Sequence, residues 1–399
     1  MSRYREPQDR RSRLSRREFL RVAGGAALLP SAALAAAARA RTPAASDGVP
    51  AARRRMLQMS GYAIDAETPL DALTTYLTPN DLFFVRHHWN PMYPGARTWR
   101  LALDGEVEKP LALTLAELKR LPMTTVTCVL QCAGNGRGLF RPTVPGVQWR
   151  YGAVGNARWT GVRVADILEK AGVKASGKHL HTFGSDKPPE KVPPFSRSVE
   201  MEKALADCVL AYEMNGEPLS QLHGAPARLV VPGWAGEHWM KWVTRLSPQP
   251  EPQKGFYMET AYRFPRSPGE PGVVFKPEEM EPVTELFVKS NIAEAPASAR
   301  VGAEALLRGF AFSGAPDTSK VEVTDDDGAT WAEARLGSEH DPWAWRLWSF
   351  RYVPKAPGRV RLAARATDSK GIVQPKEAVW NQGGYLHNGW HSVEIEVKA

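Results

Sequence analysis

Cysteine is scarce in this chain. Three in 399 residues, at positions 128, 132 and 208, cannot build a disulfide framework, and an odd count leaves at least one thiol to account for. No Cys-x-x-Cys-His stretch occurs, which excludes covalently attached haem of the c type on this chain. Beyond one alanine-rich stretch near the N-terminus, no apolar run approaches the ~20 residues that a membrane-spanning helix needs. A large excess of positive charge is also missing from most of the chain. The formal net charge is +9, yet residues 1–40 hold nine arginines against three acids, a net of +6 that leaves +3 downstream. Charge therefore gives little support to nucleic-acid binding. What is plentiful is apolar side chain, 43% of the total, enough at this length for a large core divided between two domains.

The N-terminal segment Ser15-Arg16-Arg17-Glu18-Phe19-Leu20 precedes an Ala/Gly-rich apolar stretch from Val22 to Ala38, with small residues suited to cleavage. It resembles a twin-arginine signal peptide over residues 1–40, which predicts export to the periplasm of a protein folded beforehand around a cofactor. A membrane-anchoring helix is disfavoured by the two glycines and the proline inside the run, so no span is expected in the mature chain. Residues 41–69 read as an N-terminal tether.

From Leu70 to Phe264 short strands alternate with amphipathic helices, a mixed α/β pattern. Thr98–Leu103 alternates as a strand. Thr114 followed by Glu117 is a capping signal for a helix, and Met123–Leu130 is β-branched and apolar. Val162–Ala171 reads as a second helix, Leu180–Phe183 as a strand, and Ala227–Val231 as a buried strand closed by Pro232-Gly233. Residues 265–282 contain five prolines and a Pro-Gly-Glu-Pro-Gly stretch, the chemistry of a linker. Over 283–399 short strands separated by turns predict an immunoglobulin-like β-sandwich, with a hairpin turn, rather than a calcium loop, at Asp325–Gly328.

The chemistry concentrates in Thr127-Cys128-Val129-Leu130-Gln131-Cys132-Ala133-Gly134-Asn135-Gly136-Arg137. A strand here delivers a cysteine to a tight glycine-containing turn where backbone and cofactor can approach closely, and Arg137 can stabilise a thiolate or an anion beside it. The residues alone leave open a buried structural cysteine, a Cys128/Cys132 redox pair and a partial metal site, although no further Cys/His set completes a zinc pattern.

Cys-Ala-Gly-Asn-Gly-Arg, then Gln148-Trp149, Gly152–Trp159 and Gly161-Val162, resembles the sulfite oxidase family. The likeness continues through Ala211–Leu219, His223-Gly224, Arg228–Gly233 and Lys241-Trp242, and such an ordered set is specific. The resemblance implies an α+β protein: a molybdopterin-binding catalytic domain over 70–264 and an immunoglobulin-like dimerisation domain over 283–399. It also implies molybdenum held by the dithiolene of one molybdopterin, by oxo ligands and by the Cys132 thiolate, a soft donor suited to that metal. Phe84-Val85-Arg86-His87-His88 matches a motif that supplies an arginine to the substrate anion and a histidine to the pterin, carried here to Arg86 and His88. Arg137 and Trp149 match the pocket, and Tyr262 the active-site tyrosine. By position, Asp186 is assigned to the pterin ring, and His223, Arg228, His238 and Lys241 to its phosphate end.

The Trp343–Trp348 segment reads as sandwich core or interface, with Arg346 a candidate for the substrate mouth. Gly136 and Asp341-Pro342 stand where the resemblance places arginines in the animal enzymes, and no cytochrome domain is expected ahead of this one. The expected activity is therefore sulfite dehydrogenation with electrons leaving to a c-type cytochrome, in a homodimer or a heterodimer with a cytochrome subunit. The alternatives are the sulfane dehydrogenase subunit of a thiosulfate-oxidising system and, from another class, a cofactor-free adhesion or scaffold protein.

Overall fold

The computed structural model describes residues 56–60, 64–89 and 94–399. The expected leader, and the tether up to residue 55, lie outside the described residues. In the first half two five-stranded sheets carry most of the structure. Met123–Gln131, with its run of Thr and Val, is buried from Thr127 onward and pairs antiparallel along its whole length with Val154–Arg163. Val154–Arg163 in turn pairs with Val209–Met214, which carries Arg228–Val230 and Glu217–Pro218. The register shifts between Thr160 and Gly161, where a Cβ on Gly161 would stand 2.1 Å from the Leu210 carbonyl oxygen, so only glycine fits the bulge. In the second sheet the order is Leu111–Thr114, Arg100–Leu103, Val243–Gln249, His179–Gly184 and Ser196–Glu200.

Helices are few and short among the described residues. The capping signal at Thr114 is realised in full: its hydroxyl accepts from the Glu117 N–H at 3.1 Å while the Glu117 carboxylate accepts from the Thr114 N–H at 2.8 Å. The second helix runs Val164–Ala171, its expected first turn being the end of the preceding strand, and Gly172 at φ 69° stops it.

The C-terminal half is a sandwich. One sheet orders Lys289–Glu294, Ala305–Phe312, Arg346–Tyr352 and Arg335–Leu336; the other orders Ser298–Arg300, His391–Lys398, Gly358–Asp368, Thr318–Thr324 and Ala332–Glu333. Val288, Ile292, Leu307, Val321, Leu362 and Ile395 fill the space between them.

A separate buried cluster joins the two halves. Leu73, Tyr76, Val129, Ala133 and Val154 pack with Phe310, Phe312, Trp345 and Leu386. The outer edge of Met123–Gln131 is covered from the same side, because the Val129 N–H donates to the Trp343 carbonyl at 2.9 Å. The proline-rich stretch is anchored at both ends, since Arg263–Pro265 pairs antiparallel with Met280–Pro282. Part of the segment read as tether belongs to the fold: Asp65–Glu67 is a buried strand paired with Leu57–Ser60, held by its carboxylates, one on Arg86 and the other on the Arg150 N–H. Its alternation was hidden by its polar side chains.

Candidate active site

Cys132 leaves the end of the Met123–Gln131 strand. Its N–H donates to the Ala153 carbonyl at 2.9 Å and its carbonyl accepts from the Asn135 N–H at 2.9 Å, closing the turn. Asn135 sews that turn to its surroundings: Nδ2 donates to Gln131 Oε1 at 3.0 Å and Oδ1 accepts from the Ala153 N–H at 3.2 Å. Gly136 adopts φ 92°, and a Cβ there would meet the His387 side chain at 2.6 Å, so a side chain at this position would be strained and would have to displace His387. The thiol of Cys132 faces a cavity. Burial pushes its proton affinity up, while Arg86 and Arg137 pull it back down.

On the facing wall the Arg86 guanidinium is fixed by Asp65 at 3.3 Å. His88 Nε2 lies 2.8 Å from the Tyr262 hydroxyl, and its ring stacks on Phe195 at 4.2 Å between centroids. Burial, then the field of Arg86, lowers the His88 proton affinity far below the usual range, so the imidazole is neutral. Burial raises that of Tyr262, which keeps its proton. Tyr262 sits at φ 54°, backed by the stacked ring of Tyr385 at 5.2 Å.

The far end of the cavity is cationic. Lys241 Nζ donates to the Arg86 carbonyl at 2.9 Å and the Leu222 carbonyl at 3.2 Å, and burial with the nearby Arg228 drives its proton affinity well down. Arg228 donates to the His223 carbonyl at 3.1 Å, lies 4.9 Å from the Trp159 ring, and is pushed down by burial to about 9. Its Nε is buried with no partner among the described residues, as is Nδ1 of His87. Asp186, whose carboxyl is pushed up by burial, lines the same end. Buried cations under such strain are relieved by an anionic guest with several acceptors.

Arg86, His88, Cys132, Asp186, His223, Arg228, Lys241 and Tyr262 thus share one cavity. The structure places the other candidates differently. Trp149 is fully buried in the core beneath the Arg137–Leu139 turn rather than in the cavity wall. Arg137 is tied by Nε to the Gly383 carbonyl at 3.0 Å and by Nη1 to the Val147 carbonyl at 3.3 Å; it reaches Cys132 by its field. His238 is not among the residues lining the cavity; its Nε2 lies 2.8 Å from Arg197 Nη2 and 2.9 Å from the Val283 carbonyl. Arg346 pairs with Asp317 at 3.4 Å inside the sandwich domain, donates to the Gly337 carbonyl at 3.0 Å and is not among the residues lining the cavity. Three further residues, absent from the sequence candidates, belong to the site: His87 and Glu237 in the cavity wall and buried Arg197 behind it. His87 stands within a quoted motif and could have been found there; no local signal marks the other two.

Among the described residues no group of three or more His, Cys, Asp or Glu side chains is arranged to hold a metal ion. A metal here must bring its other ligands with it. One thiol facing a cavity whose opposite end presents Arg228, Lys241 and His223 fits a metal carried on an anionic organic ligand.

Comparisons with known proteins agree. Residues 87–257 match the model of the oxidoreductase molybdopterin binding domain, and residues 280–398 that of the Mo-co oxidoreductase dimerisation domain. The chain is 35% identical to the mitochondrial sulfite oxidase of Rattus norvegicus, over 84% of this chain and 64% of that protein. It thus spans slightly less than two thirds of that relative's length. It is 33% identical to the sulfite oxidase of Arabidopsis thaliana, over 84% of this chain and 92% of that one. In structure it is similar to the sulfane dehydrogenase SoxCD from Paracoccus pantotrophus, with a TM-score of 0.75 at 30% identity, covering 89% of this chain and 92% of the other. The thiol, the cationic end and the two matched domains together show that this chain, with its site for a molybdenum–molybdopterin cofactor, belongs to the sulfite oxidase family of molybdopterin oxidoreductases.

Proposed function

We propose that the protein oxidises sulfite to sulfate in the periplasm, after twin-arginine export, and passes the electrons one at a time to a c-type cytochrome. The observation that carries this reading is the convergence of the Cys132 thiol, the Arg86 guanidinium and the His88–Tyr262 pair on one cavity. When bound, the molybdenum cofactor supplies oxygen-atom transfer and a two-electron store. The chain supplies the rest. Cys132 would provide the protein's thiolate to the metal, with Arg86 and Arg137 favouring its charged form. Arg86, already oriented by Asp65, is a preorganised fork for the oxygens of a small anion, which leaves the sulfur lone pair free to face the reacting centre. In the tautomer with the proton on Nε2, neutral His88 donates to the Tyr262 oxygen and leaves the hydroxyl proton free for donation to an oxygen of the bound anion. Phe195, Trp239 and Met240 exclude water from the walls. The phosphate end of the pterin would rest on His223, Arg228 and Lys241, and the ring on Asp186.

A sulfane dehydrogenase acting on carrier-bound sulfur is the second reading, supported by the likeness to the Paracoccus enzyme. A cofactor-free scaffold would leave the buried cations without compensation. Molybdenum content together with sulfite-dependent reduction of cytochrome c separates the three. Metal with sulfite turnover supports the first, metal without it favours the second, and a metal-free protein purified from a host that makes the cofactor supports the third. The matched dimerisation domain makes a homodimer or a heterodimer with a cytochrome subunit the proposed assembly.

A further inference from the structure

Glu237 is the carboxyl of the cavity wall that the mechanism leaves unused. It lies in the short Gly236–His238 turn, and Gly236 rests against the end of the strand that delivers Cys132: a Cβ there would stand 3.0 Å from the Gln131 carbonyl oxygen. Glu237 is 5% exposed and lines the cavity, yet neither carboxylate oxygen has a hydrogen-bond partner among the described residues. A buried carboxylate normally costs several kcal/mol unless it is paired. The groups facing it are Cys132 at the strand end, Arg197 of the Ser196–Glu200 strand, His238 beside it in the turn, Tyr262 and Tyr385. Arg197 is the cation among them, but its Nη1 is spent on the Tyr257 carbonyl and its Nη2 on His238. His238 stands 4.0 Å away and is kept neutral by burial. The balance of burial against the distant Arg197 leaves the Glu237 carboxyl poised, pushed up to about 7, where one group can both take and release a proton. Asp186, the other carboxyl of the cavity, is at the Lys241 end.

We propose that Glu237 is the proton acceptor of the oxidation, receiving a proton from the water that the reaction consumes and releasing it toward solvent. The assignment rests on the sulfite reading above. Sulfite and water give sulfate, two protons and two electrons. The sulfur lone-pair electrons leave singly to two molecules of the cytochrome acceptor, and the oxygen of water forms the new S–O bond. The two O–H bonds of that water break with their electron pairs staying on oxygen, and the Glu237 carboxylate takes the first proton, passes it toward solvent and then takes the second. Among the described residues that line the cavity the other carboxyl is Asp186, at the Lys241 end.

Two measurements on the holoenzyme test this. Infrared difference spectra across pH, taken without substrate, should show one protonated-carboxyl band titrating near 7 that vanishes in Glu237→Gln. In the sulfite-dependent cytochrome c assay the wild type should lose kcat as pH falls below about 7. Glu237→Gln should lack that limb and run on the order of a hundredfold slower at alkaline pH, with molybdenum, pterin and the KM for sulfite little changed. Glu237→Asp should recover the limb in part. The proposal is overturned if the Gln variant keeps the wild-type rate and acid limb, or if no Glu237 band titrates between about pH 5 and 9. A wild type that loads its cofactor but ignores sulfite would instead overturn the substrate reading, and the infrared titration would still decide the carboxyl.

Discussion

Cys132 and Cys128 lie on one strand about 13 Å apart by the ordinary rise of an extended chain, and their surroundings divide them. Cys128 is fully buried, its carbonyl accepting from Trp159 Nε1 at 3.4 Å, and burial drives its thiol far from ionisation. Cys132 is partly exposed to the cavity and faces two guanidinium groups. Cys132→Ser is expected to abolish turnover while most of the pterin remains, since the harder oxygen donor changes the metal and not the phosphate contacts. Cys128→Ser should keep most activity and lose about 1–3 kcal/mol of stability from a buried hydroxyl. Parallel metal, pterin and rate measurements check the ranking, and an active Cys132→Ser beside a metal-free Cys128→Ser would overturn the site. Arg86→Met should raise the KM for sulfite by ten- to a hundredfold, roughly the 1.4–2.8 kcal/mol of a lost charged contact, with cofactor content held; loss of pterin instead would make Arg86 a cofactor residue.

At the scale of the element, Lys289–Glu294 shows where pattern reading stops. Its alternation puts Val288 and Ile292 into the sandwich and Lys289 with Asn291 on the other face, which a sandwich standing alone would show to water. Here the first half of the chain covers that face, so Lys289 is 2% exposed and its Nζ has no partner among the described residues. Burial pushes its proton affinity down to about 7. Between that pH and the ordinary lysine value of about 10.4 the unfolded chain binds more protons than the folded one, so stability rises with pH across the window. Lys289→Met should flatten that rise and stabilise the protein at neutral pH by about 1–4 kcal/mol. Thermal melts from pH 7 to 10 check both signs, and a less stable variant would mean that the ammonium has a partner. Glu117, by contrast, was legible three residues after Thr114 because a capping box is complete within one turn.

For the molecule as a whole, the shared cluster makes the two halves one folding unit. Phe310 is fully buried and packs on Trp345 at 4.6 Å within the cluster that also holds Leu73, Ala133 and Val154. Phe310→Ala should cost about 3–5 kcal/mol, and calorimetry of the holoenzyme should show a single transition moving downward. Two separated transitions, with only one displaced, would mean that the halves unfold independently. For the full-length chain, Arg16→Lys with Arg17→Lys should strand the protein in the cytoplasm, read by fractionation of an expressing cell; normal export would remove the leader reading.

The sequence by itself determined whatever is written within a few consecutive residues: strand and helix periodicity, the Thr114 cap, the glycine turn after Cys132, and the donors of the cavity that sit in contiguous motifs, Arg86, His88, Arg228 and Lys241. Tertiary structure alone decided what depends on distant segments meeting. It withdrew Trp149 into the core and turned His238 toward Arg197. It also brought the Gly236–His238 turn against the end of the Cys132 strand and buried Lys289 beneath another part of the chain. The physical reason is that hydrogen bonds within a turn or strand are local, whereas burial, and the pKa shifts and proton chemistry that follow from it, is a property of whatever the rest of the chain lays on top.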